Sequence, residues 1–345
     1  MTPTPAGLHR RGPEHLRGRA ELVEADPALE LHRHVYATPH VEDGRWGVFD
    51  ADDRPVDLAV ERGLDPLLPL RQIPESPLKR MAYKAPAPAG FDYVYAGRYV
   101  HHFGHFLVET LSRLWPWAEG PPARTRLVIH GDGSPAAWFA TPYARAAFEA
   151  LGLTPEHFLH VDRPLRFEAL LVPGQSFLPG ASAHRAFSRL TGRMGERLTA
   201  REPRPPREDR PVFFAKTRLV GGVSHLLNEQ ALVDRLAERG VEIAHPQAMA
   251  LAQHVRFLEA RPVISGWASS AHHPTLFAQA PGRFSMLSPP WLNSNFALID
   301  GLLGRPGDYW LADGTRSTPQ PNSSFLMDRT MDDPRAVADA LVATF

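Results

Sequence analysis

The sequence predicts an α/β fold in two halves that face each other across a cleft, and three observations predict it. From Phe91 onward, short apolar strands alternate with amphipathic helical stretches, the pattern of a parallel sheet covered by helices. The segment "REPRPPREDRP" puts four prolines and seven charged residues into eleven positions, a composition that cannot bury a core and reads as a linker. The 345 residues exceed the size at which a single core stops growing, so two domains are the default. Open α/β sheets bind ligands beyond the carboxyl ends of their strands, which is where a cleft between two halves would lie.

Taken in order, residues 1–35 read as a loosely structured leader rich in Arg and Glu. Residues 36–200 are expected to form the first half. It opens on a flanking β-hairpin, because "WGVFDADDRPVDLAVERG" alternates apolar and polar residues around an Asp-Asp turn. "FDYVYAG" is a strand, "VHHFGHFLVETLSRLW" a helix and "TRLVIHG" a buried strand, and "AHRAFSRLTGRMGERLTA" closes the half as a helix. Residues 201–210 are the linker, and 211–330 the second half. There "VFFAK", "VEIAHP", "RPVISG" and "RFSML" read as strands. "NEQALVDRLAERG" is a helix with Asn228 at its N-cap and Gly240 just past its end. Residues 331–345 are expected to hold a last helix.

Composition excludes several function classes. Lys+Arg and Asp+Glu both number 38, so no bulk field draws the chain to nucleic acid. Cysteine is absent, which excludes disulfides, thiolate metal sites and a cysteine nucleophile and fits a reducing compartment. No apolar region follows the adjacent Arg10 and Arg11, and no eighteen apolar residues run together. The expectation is a cytoplasmic protein with no integral membrane span and no internal repeat.

The helix "VHHFGHFLVETLSRLW" carries the chemistry. At about 100° per residue, Phe103, Phe106, Leu107, Thr110, Leu111, Leu114 and Trp117 share the core face. His102, His105, Glu109 and Arg113 share a narrow stripe at its rim. A metal site, a solvated stripe with a Glu109–Arg113 ion pair, and a catalytic face with a histidine or Glu109 as general base all remain open on spacing alone. The metal reading lacks a second group of ligands.

"HHFGHFLVETLSRLW" resembles the motif of glycosyltransferase family 61, the capsular-polysaccharide-type family: an aromatic-Gly-His-Phe element, then an acidic residue, then a Pro-Arg-Leu-like end. A second block, from "VFFAKTRLVGG" through "NEQALVDRLAERG" to "ISGWASSAHHPTLFAQAPG", follows the family's order of elements. The resemblance spans roughly residues 92–288. It implies a GT-B-like pair of Rossmann-like halves and a hexosyl- or pentosyltransferase that moves a sugar from a nucleotide-sugar to an acceptor hydroxyl in polysaccharide or glycan synthesis. Inversion, no essential metal and no cofactor beyond the nucleotide-sugar co-substrate are also implied. Such a transfer needs a base for the acceptor proton and positive groups for the departing diphosphate. His105 and Glu109 are the catalytic candidates, with His102, Gly104 and Arg113 beside them on the acceptor side. Lys216, Arg218, Asn228 and Glu229, together with the loop residues Gly266, Ser269, Ser270, His272 and His273, are the donor-side candidates. Small residues in that loop would let backbone N–H groups approach a phosphate.

The chain departs from the family at the loop. It has Ala268-Ser269-Ser270 where the family commonly has His-Gly-Ser/Ala, and Pro274 where Asn or His is frequent. The basic cluster before the Asn-Glu pair is reduced to Ser224-His225. Two readings follow: an active transferase with an altered donor pocket, or a degenerate member that binds a sugar nucleotide or glycan without catalysis.

Overall fold

The computed structural model describes residues 6–42, 44–77, 84–219, 221–222, 224–321 and 326–345. The chain divides into two compact units. One is Gly18–Ala200; the other joins Met1–Arg17 to Arg201–Phe345.

The Gly18–Ala200 unit is built on one mixed sheet. Its main strands are β1 (Leu29–Thr38), β2 (Gly47–Phe49), β3 (Asp92–Arg98), β4 (Thr125–His130), β5 (Phe158–His160) and β6 (Leu165–Pro173). They lie in the order β2-β1-β6-β3-β4-β5. The four strands from β6 to β5 run parallel, while β1 and β2 add antiparallel edges. Helices α1 (Phe103–Val108), α2 (Pro135–Ala140), α3 (Pro142–Ala150) and α4 (Arg185–Leu198) accompany it. This half differs from the expected Rossmann-like pattern, because no helix lies between β5 and β6 and antiparallel strands complete the sheet. Part of the expected hairpin is present: Phe49 pairs antiparallel with Pro55, and Asp53 takes the left-handed turn position at φ 64°.

The other unit is a doubly wound parallel sheet. Strands β7 (Val212–Phe214), β9 (Glu242–Ala244), β10 (Val263–Trp267), β11 (Arg283–Leu287) and β12 (Asp308–Ala312) lie side by side as β9-β7-β10-β11-β12, all parallel. Counted along the chain that order is 2-1-3-4-5, which reverses between β7 and β10; such a reversal is where open α/β sheets take their ligands. Two further strands, β8 (Ser224–Leu226) and β13 (Met327–Thr330), pair in parallel beside it. Burial follows the pleat: Phe213 packs with Leu232, Trp267 and Leu341 on one face, and Val212 and Phe214 pack with Ile264, Leu258 and Phe296 on the other. Helices α5 (Glu229–Glu238) and α8 (Pro334–Val342) cover the first face, while α6 (Leu251–Glu259) and α7 (Asn295–Leu303) contribute to the second.

The leader expectation is corrected here. Leu8–Arg10 forms an antiparallel edge on β12, with Leu8 2% exposed, and Leu16–Arg17 pairs with Leu292–Asn293. Its high Arg and Glu content masked the few apolar residues that fasten it. The expected last helix, α8, starts at Pro334 with Asp333 accepting from the N–H groups of Arg335 and Ala336. Arg201–Arg210 carry no helix or strand.

Candidate active site

In the Gly18–Ala200 unit the expected long helix is broken. α1 ends at Val108, and a 3₁₀ turn covers Thr110–Arg113. The hydroxyls inside the segment take over backbone bonding: Thr110 Oγ1 donates to the Arg98 carbonyl and accepts from Val100 N–H, both at 2.9 Å, and Ser112 donates to the Glu109 carbonyl at 2.7 Å. A 3₁₀ turn advances about 120° per residue. Arg113 therefore rotates off the stripe and into the core.

His105 and Glu109 stay together. The Glu109 carboxylate holds the Nδ1 side of the His105 ring in a short hydrogen bond. With the proton assigned to Nδ1, Nε2 is left as an acceptor. Exposure separates the two roles: the Glu109 side chain is 4% exposed and that of His105 28%. Solvent therefore reaches the histidine far more than the carboxylate. Burial raises the Glu109 pKa, but the His105 hydrogen bond and the charges of His105, Arg71 and Arg98 outweigh it, and the group sits below its ordinary value.

Three charged residues not anticipated from the sequence complete the site. Arg71 Nη1 stands 3.6 Å from Glu109 Oε2, and its Nη2 lies 3.3 and 3.1 Å from the two ring nitrogens of His105. That near-equal spacing sets the guanidinium against the imidazole. Arg71 has φ 53°, a left-handed conformation uncommon outside glycine. Next to it, Gln72 donates to the Trp46 carbonyl at 2.9 Å and accepts from Glu61 N–H at 3.0 Å, which anchors the chain beside Arg71. Glu61 and Arg98 form a buried pair at 3.2 Å, and burial raises the Glu61 pKa against the opposing pull of Arg98. Arg98 Nη2 and Glu109 Oε2 are buried without hydrogen-bond partners, a condition that favours functional sites.

His102 stands at the N-cap of α1 with its ring 4.9 Å from that of His105. Burial first, then the nearby charges of His105 and Arg71, lower its pKa against Glu109. Gly104 is buried in the first turn of α1. Arg113 is corrected from a cleft residue to a structural one. It is 2% exposed and donates to the carbonyls of Leu58 (2.7 Å), Val60 (3.1 Å) and Pro173, with no ion pair to Glu109. Gly97, at φ 80°, leaves room for it: a Cβ there would stand 3.1 Å from the Arg113 Cδ.

In the doubly wound unit, the carboxyl ends of β7 and β10 bring Lys216 and Trp267 to the reversal point. Burial pushes the Lys216 pKa down to about 8; Glu229 opposes that shift and Arg329 adds to it. Arg329, on β13, donates to Ser224 Oγ, lies 5.4 Å from the centroid of the Trp267 ring, and keeps its Nε buried without a partner. Arg218 is exposed, and its charge helps lower the pKa of His245 after burial, against the Ala215 carbonyl.

Several donor-side candidates are occupied structurally. Asn228 is at the N-cap position, but its side chain exchanges two hydrogen bonds with the Met331 backbone at 2.7 and 3.2 Å and caps nothing. Glu229 accepts the Lys216 N–H at 3.0 and 3.1 Å and is 3% exposed. Gly266 lies inside β10 at φ 153°, where a Cβ would stand 3.0 Å from the Phe214 carbonyl oxygen. Its lack of a side chain serves strand packing. Ser269 and Ser270 open a 3₁₀ segment, Ser270–Phe277, and are partly exposed. His272 is fully buried against Phe284 and Phe296, with Nε2 3.1 Å from Asp300; His273 is 7% exposed. Both histidines belong to the core.

Among the described residues, no three His, Asp or Glu side chains are grouped to hold a metal ion, and no helix is long and apolar enough to cross a membrane. No curated protein matches the chain. The family model for Glycosyltransferase 61 matches residues 103–284, from the first residue of α1 into β11 and more than half of the chain. That segment contains His105, Glu109, Lys216 and Trp267, and the chain belongs to glycosyltransferase family 61.

Proposed function

We propose that this glycosyltransferase moves a hexosyl or pentosyl unit from a nucleotide-sugar to an acceptor hydroxyl with inversion, in polysaccharide or glycan synthesis. The observation that carries the reading is the His105–Glu109 pair, a partly exposed imidazole oriented by a buried, charged carboxylate. His105 Nε2 takes the hydroxyl proton as that oxygen attacks the anomeric carbon. The bond from that carbon to the diphosphate oxygen breaks, and the nucleoside diphosphate leaves with the electron pair. Glu109 stabilises the imidazolium that forms on His105 through the step.

The reading takes the two units as the halves of a GT-B-like enzyme, with the proton acceptor in one and the donor in the other. Its support on the donor side is the cationic Lys216 at the strand-order reversal. Positive side chains there can stabilise the leaving group without an essential metal or cofactor. The cytoplasmic placement expected from the sequence belongs to the same proposal.

The test is release of nucleoside diphosphate from a panel of nucleotide-sugars, with glycan acceptors and in the presence of a chelator. Turnover of one donor is the expected result. Binding of a nucleotide-sugar without turnover of any would favour the non-catalytic alternative.

A further inference from the structure

Lys216, two residues past β7, and Arg329, within β13, are linked through α5: the Glu229 carboxylate at its start accepts the Lys216 N–H, and Arg329 pairs in register with Leu226, three residues before Glu229. Both side chains are at least partly buried, and the charge of Arg329 acts on the Lys216 ammonium. Among the described residues, no carboxylate forms an ion pair with either. Glu229, whose charge acts on Lys216, spends both oxygens on the Lys216 backbone N–H. Arg329 is held by Ser224 and by the face of Trp267, which fix its direction without neutralising it. Two like charges out of water are costly unless an anion joins them. Their place, where the strand order reverses between β7 and β10, is where such sheets bind ligands.

We propose that Arg329, outside the family-matched segment 103–284, is the second cation of a diphosphate site with Lys216, and fills the role the sequence pointed to in Arg218. This rests on the glycosyltransferase reading above. The planar guanidinium, with its unpartnered Nε, can meet two phosphoryl oxygens at once, while the ammonium acts as a point charge. Arg218 is exposed and hydrated, so its charge counts for less.

The experiment is calorimetric titration of the full chain with inorganic pyrophosphate, with UDP, GDP and ADP, and with the parent nucleosides. Wild type is expected to bind pyrophosphate and one nucleoside diphosphate. Arg329→Gln should weaken both about tenfold or more and Arg218→Gln by less than about threefold, with nucleoside binding unchanged. Should the glutamine variant fail to fold, Arg329→Lys carries the test, with a loss of about threefold or more expected because a lysine lacks the planar fork. Wild-type affinity in a folded Arg329 variant, or a loss that follows Arg218 instead, would overturn the inference and leave the transferase reading standing. Absence of binding by the wild-type chain to pyrophosphate and every nucleotide would overturn both.

Discussion

His105 and Glu109 stand one turn apart along α1, and the carboxylate of the second grips the Nδ1 side of the first. Because that carboxylate is buried, the two act as one unit. His105→Ala and Glu109→Gln are each expected to lower kcat by about 10²- to 10⁴-fold with donor affinity nearly unchanged. The double variant should fall no further than His105→Ala alone, since an orienting group has nothing left to orient. Steady-state kinetics with a saturating donor checks this; multiplicative losses would mean two separate roles.

Arg113 is expected to matter for stability and not for transfer. Its guanidinium satisfies the carbonyls of Leu58, Val60 and Pro173. Arg113→Met leaves them buried and unpaired, at a cost of about 3–5 kcal/mol. Urea unfolding measures the loss, and a variant as stable as wild type would contradict the structural role.

These three residues, His105, Glu109 and Arg113, show what the sequence discloses and where it stops. Spacings of three and four placed His105 and Glu109 on one face, and a single turn of α-helix was enough to realise that. The same arithmetic failed for Arg113, because past Val108 the helix gives way to a 3₁₀ turn in which the Glu109 carbonyl accepts from both the N–H and the hydroxyl of Ser112. Alternation of strands and helices pointed to the parallel sheet of the doubly wound unit. It missed α7, whose residues "NFALIDGLL" are apolar on nearly every side and give no periodic signal. Arg71 had no local signature, since its role depends on a left-handed backbone and a neighbour 34 positions away. Arg329 reaches Ser224 across 105 positions, and no sequence pattern connects them.

Lys216 makes anion binding and stability depend on pH. Its folded value, about 8, lies below the 10.5 of a free ammonium. Between those values the unfolded chain holds a proton that the folded chain has released, so this group makes stability rise as pH rises through that window. Glu229 on α5 and Arg329 on β13 are the charged groups acting on it. Lys216→Met should remove that rise in a comparison of urea midpoints at pH 7.5 to 10.5. Pyrophosphate affinity of the wild type should fall as pH increases through about 8. Identical pH dependence in the two proteins would contradict the assignment.

Two buried histidines make the fold sensitive to acid. Burial lowers His130 to about 3 and His254 to about 4, from 6.5. As pH drops below 6.5 the unfolded chain gains protons that the folded chain refuses, so stability falls toward the folded values. The slope for each is at most about 1.4 kcal/mol per pH unit. His254 packs on Phe214 with ring centroids 5.3 Å apart, so His254→Leu should keep the fold and flatten the acid limb of stability. An unchanged limb from pH 7 to 4 would count against its burial as a neutral ring.

Sugar transfer with His105 as the base is open to a single kinetic comparison. The most direct measurement is the rate of nucleoside diphosphate release by wild type and by His105→Ala and Glu109→Gln, each saturated with the donor that the nucleotide-sugar panel identifies. Wild type is expected to turn over and both variants to lose nearly all activity, while their donor affinity stays within about twofold of wild type. Turnover in both variants at the wild-type rate would contradict it.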